Sequence, residues 1–164
     1  MKTAFELAGF FAAHAIWCVS DGETLIPIFG YTTEAGGRQM ERHVGDELRD
    51  IVERGRARLD ENAVDANDGV FLYDGRITVG GEKLDAILVE IRAYFSPRSK
   101  ATLAVPYTPK GDRSARFLVH RPKLVQWEAC EDFDTKVVLE AFFRGVDAHE
   151  QGSAVWNAAL DQSK

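Results

Sequence analysis

Two cysteines, Cys18 and Cys130, are all that this chain of 164 residues contains. That is too few for a disulfide framework, and no cysteine pair has zinc spacing. A chain of this length buries roughly 68–70% of its unfolded surface without a staple or a metal, so neither is needed for folding. Other signatures are also missing. There is no G-x-x-x-x-G-K-[ST] phosphate loop, no G-x-G-x-x-G dinucleotide turn and no H-E-x-x-H zinc helix. No G-x-S-x-G nucleophile elbow occurs. No cofactor and no metal are therefore expected. No run reaches the roughly 18 apolar residues of a membrane span; the longest, Leu7 to Val19, is broken by His14.

What is present is ordinary globular material. Hydrophobic residues make up 45% of the chain and charged residues 28%, which predicts one folded domain over residues 1–164. Lys2, the apolar run and Ala13-His14-Ala15 imitate a secretory leader, but Glu6 puts a charge inside the would-be apolar region. Thr3-Ala4-Phe5-Glu6 reads instead as the T-x-x-E box that caps a helix start. A cytoplasmic location is the expectation.

The net charge of −6 is unevenly spread. Eight basic residues and one acidic residue, Asp112, lie between Arg92 and Lys123, while the remainder holds 12 basic and 25 acidic residues. Such a segment suits an anionic partner or a solvated sheet edge. The acidic remainder argues against nucleic acid.

Helices are predicted over Ala4–Cys18, Arg38–Leu59, Thr135–Gly145 and from Ser153 through Leu160. The first is apolar on most sides, so it is buried from several directions or lies in an interface. The second carries Met40, Val44, Leu48, Ile51, Val52 and Leu59 on one stripe. Asp134 and Ser153 are the expected caps of the last two. Strands are predicted over Glu23–Thr32, at the pair FLY and RITV around an Asp74-Gly75 turn, over Leu84–Phe95, Thr102–Tyr107, Ala115–His120 and Lys123–Glu128. Runs of strands flanked by helices predict an α+β fold, an antiparallel meander packed against N-terminal and C-terminal helices.

His14 and Cys18 form the sharpest chemical pair. Their spacing of four places them on one helix face, where a histidine could activate a thiol. The position at the helix C-terminus works against a thiolate, so a buried small cysteine beside a hydrogen-bonded core histidine is the simpler expectation. His43 and Glu47 share this spacing, but nothing nearby completes a ligand set. Asp65 to Gly69 has its glycine in the wrong place for a calcium loop.

Without a catalytic constellation, a non-catalytic binding or interaction protein that self-associates as a homodimer is expected, through apolar surface on the first and last helices. The alternative is an enzyme or small-ligand binder with a pocket between the first helix and the sheet. His14, Cys18, Tyr31, Arg92 and Tyr94 are its candidate residues. No membrane partner is expected.

Overall fold

The computed structural model describes residues 1–111 and 113–164. Among the described residues, four helices and eight strands follow the order α1 (Lys2–Ser20), β1 (Ile28–Thr32), β2 (Arg38–Arg42), α2 (Leu48–Glu61), β3 (Asp68–Val79), β4 (Glu82–Ala93), β5 (Lys100–Thr108), β6 (Leu118–His120), β7 (Lys123–Glu128), α3 (Thr135–Asp147), α4 (Glu150–Ala159) and β8 (Leu160–Asp161). The strands make one sheet in the order β2-β1-β3-β4-β5-β6-β8, with β7 also paired to β5. Among the described residues, every strand pairing is antiparallel except β6 with β8. The fold is α+β, as the sequence implies.

Side-chain alternation along the strands builds two cores, one on each sheet face. Val70, Leu72, Ile87, Val89, Ile91, Leu103 and Val105 meet α1 on the first face. On the second face Phe29, Phe71 and Tyr73 meet Leu59 of α2. The apolar girth of α1 is explained by this placement: the sheet takes one side, and α3 and α4 pack against the helix too. Its length and composition would suffice to cross a membrane, although the apolar-run criterion predicts no span. Here most of its residues lie in the core.

Several local signals are overridden. Arg38–Arg42 is not the start of a helix but a strand hydrogen-bonded to β1, and α2 begins only at Leu48. A helical stripe of apolar residues cannot reveal an edge pairing made by distant backbone. Asp74-Gly75 makes no turn: β3 runs straight through it, with Gly75 opposite Ala86. The hairpin bends at Gly80-Gly81, where both residues have positive φ, 58° and 86°, as a tight hairpin turn requires. The Thr3–Glu6 box is not formed, since α1 starts two residues earlier than predicted, at Lys2, and makes no side-chain cap bond. Asp134 caps α3 as predicted, accepting from Lys136 N–H at 2.8 Å. In α4 the cap is His149, not Ser153. The strand predicted over Glu23–Thr32 starts only after Pro27, and the one over Ala115–His120 shortens to β6.

Candidate functional site

β1 pairs with β3 only as far as Ile28 opposite Leu72. The next residue outward is Pro27, which has no N–H to continue the ladder, and the chain before it leaves the sheet. β3 itself continues to Val79. From Tyr73 to Val79 it has β4 on one side and, among the described residues, no strand on the other. An interior strand thus becomes an open edge halfway along its length.

Beside that edge lies a cleft of about 470 Å³. Leu25, Ile26 and Pro27 form one wall, Val44, Leu48 and Ile51 another, and Asp74–Arg76 of β3 a third. Two bonds fix the Val44 loop. His43 N–H donates to Pro27 C=O at 2.8 Å, and Arg54 Nη2 donates to Val44 C=O at 3.3 Å. Three aliphatic side chains around the cleft remain in water: Ile26 is 43% exposed, Val44 75% and Leu48 48%. Clustered exposed aliphatics beside unpaired backbone are unusual for a protein surface and suit an apolar ligand.

The cleft is lined by three carboxylates, Asp46, Asp74 and Asp85, and one arginine, Arg76. Arg76 pairs with Asp85 at 3.1 Å. Tyr107 Oη donates to the Asp74 carboxylate at 3.0 Å, while burial pushes the Asp74 carboxyl up from its usual range. His43 packs on Phe71, ring centres 5.6 Å apart, and burial lowers its pKa. Among the described residues no group of three or more His, Cys, Asp or Glu is arranged to hold a metal.

The residues singled out in the sequence do not converge. His14 and Cys18 lie on α1, whereas Tyr31, Arg92 and Tyr94 lie on the opposite sheet face with α2. The space between α1 and the sheet is occupied by Phe5, Ile16, Leu72 and Ile87, all fully buried. Arg92 Nε donates to Asp60 at 2.9 Å, Tyr94 Oη donates to Leu59 C=O at 2.7 Å, and Tyr31 stacks on Phe29. Of the three, Arg92 lines a groove, beside a network not evident from the sequence. In it Arg56 and Tyr73 both donate to buried Glu90, and burial pushes the Tyr73 hydroxyl up to about 12. The signal was a glutamate inside Ile-Leu-Val-Glu-Ile, where a charge on a buried strand demands partners.

His14 is paired with His149, not with Cys18; Nδ1 of the first is 3.0 Å from Nε2 of the second. Burial raises the Cys18 pKa, the opposite of what a nucleophilic thiolate needs. The histidine tautomers follow from the cap. Gly152 N–H donates to His149 Nδ1 at 2.9 Å, so the His149 proton sits on Nε2 and points to His14 Nδ1. Both rings are neutral in this arrangement. Burial lowers the pKa of both, and also those of His43 and His120. A folded pKa below the unfolded value means that the unfolded chain binds more protons, so stability falls as pH drops below about 6.5. Asp68 and Asp74, whose pKa values burial raises, act in the opposite sense, but nearer the carboxylate range. The urea midpoint is expected to fall between pH 7.5 and 5.5. His149→Asn keeps a cap acceptor and should flatten that slope; a midpoint independent of pH in the wild type contradicts the neutral pair.

An eight-stranded, mostly antiparallel sheet with helices on both faces defines the chain as an α+β protein. Compared with known proteins, it matches no family model, no curated protein and no solved structure.

Proposed function

We propose that this is a non-catalytic binding protein that takes an extended polypeptide segment along the open edge of β3. The observation that carries the reading is the juxtaposition of the outer edge of Tyr73–Val79, which has no partner strand among the described residues, with the aliphatic cleft formed by Ile26, Val44 and Leu48. Added strands gain main-chain hydrogen bonds from such an edge and specificity from pockets that receive alternate side chains. Asp46, Asp74 and Asp85 favour a segment that carries a cationic residue near its apolar ones. The two cysteines are free, which suits the reducing cytoplasm.

A second reading places a small ligand or substrate in the groove of Arg92, Glu90, Arg56 and Tyr73, because buried charges in a cleft are frequent at functional sites. Its hydrogen-bonding groups are already engaged with one another, which favours the edge cleft.

Selection from a library of displayed peptides tests the proposal. Binders are expected to alternate apolar residues and to lose about tenfold or more in affinity against a Val44→Asp, Leu48→Asp variant. Both side chains are exposed, so the variant should fold normally. Failure to select any binder, or binders indifferent to the double substitution, overturns it.

A further inference from the structure

We propose that the outer face of α3 is a self-complementary surface that joins two copies of this chain in an antiparallel, two-fold pair. Inward-facing Val138, Ala141, Phe142, Gly145 and Val146 fix the rotation of α3. That leaves Lys136, Glu140, Phe143 and Asp147 along the centre of the outward face, with Leu139 and Arg144 beside them. Phe143 is 42% exposed although it sits among charges.

The charges along this face run in a self-complementary order. Lys136 lies in the first turn of α3 and Asp147 is its last residue, so each stands at the end of the helix dipole that disfavours it. Among the described residues, neither they nor Glu140 make an ion pair within the chain. A second copy of α3, antiparallel and centred midway between Ala141 and Phe142, resolves all of this at once. Lys136 then meets the partner copy's Asp147 and Asp147 meets its Lys136. Each charge now lies beside the dipole end that favours it. The rise of roughly 1.5 Å per residue offsets Glu140 from the second copy's Arg144 by one residue along the axis, and Leu139 from its Phe143 by the same amount. The two Phe143 rings flank the axis. An isologous interface requires this kind of reciprocal match, because each residue must suit the mirror position of its own sequence. Arg144 already reaches Glu6 at 3.7 Å, and its remaining donors stay available to the partner's Glu140.

A helix of 13 residues covers less than the roughly 800 Å² per partner of a standard interface, so the association is weak and depends on concentration. This inference is independent of the β3-edge cleft, which lies outside α3.

The test is sedimentation equilibrium of the full chain from about 1 μM to 1 mM, the range that a small interface calls for. Reversible dimerisation is expected. Lys136→Glu and Asp147→Lys, each alone, create two like-charge contacts and should raise Kd by about tenfold or more. An equimolar mixture of the two variants should dimerise again, and so should the Lys136→Glu, Asp147→Lys double variant. Recovery by mixing cannot come from misfolding. A wild type that is monomeric throughout, single variants that dimerise like wild type, or a mixture that restores nothing would each overturn the proposal. Peptide binding at the cleft by a strictly monomeric protein would remove this interface alone.

Discussion

Gly145→Ala is expected to destabilise the protein by about 3 kcal/mol or more, the upper range for overpacking a close-packed site. A Cβ on Gly145 would sit 1.9 Å from Glu6 O and 2.8 Å from Phe10 N. The same crossing is tight from the other side, where a Cβ on Gly9 would sit 1.8 Å from Phe142 O. These are backbone atoms, so no side-chain rotation relieves the clash; α1 and α3 must separate. The intrinsic helix preference pulls in the opposite direction, because alanine in a helix interior is favoured over glycine by about 1 kcal/mol. The sign of the effect therefore decides. A fall in melting temperature of roughly 6–12 °C is expected for a chain of this size. An unchanged or higher melting temperature would mean that the helices do not touch at these glycines. Gly37→Ala is the control: its nearest contact would be Gln39 Nε2 at 3.5 Å, and little change is expected.

Glu90→Ala should cost about 3 kcal/mol, in the lower range for breaking a buried ion pair. Glu90 and Arg92 are both nearly buried, at 6% and 8% exposure. The Glu90 carboxylate accepts from Arg56 and from Tyr73 Oη. Its removal leaves the Tyr73 hydroxyl without its acceptor in a buried place, and leaves Arg92 with Asp60 as its ion-pair partner. The contrast is Asp85→Ala, which breaks the exposed Arg76 pair and should cost no more than about 1 kcal/mol. Urea unfolding of the two variants measures both. Equal losses would show that the network behaves as a surface pair.

Much of the architecture was legible in the sequence where one residue pattern had one structural meaning. The helix predicted over Thr135–Gly145, with an apolar stripe and an aspartate cap, forms and runs two residues further, to Asp147. Lys123–Glu128 folds as the predicted strand. Misreadings arose where long-range pairing overruled local preference. Met40 fits a helical stripe, yet its backbone pairs with Gly30. Asp74-Gly75 has the composition of a turn, yet the ladder to β4 holds it extended. Val44 and Leu48 fit the buried side of a helical stripe, yet both are exposed beside β3 and mark the cleft. Tyr31, Arg92 and Tyr94 do share a sheet face, but pairing order decides which helix covers that face. His149 lies 135 residues from His14, beyond any spacing rule.

The central claim is that the outer edge of β3 receives an extended segment. Amide hydrogen exchange of residues 74–79, with and without a peptide selected for binding, tests it most directly. Hydrogen bonding to an added strand should slow exchange of alternate amides there, while the amides of β7 stay unchanged. Saturating peptide with no slowing along residues 74–79 would contradict the account.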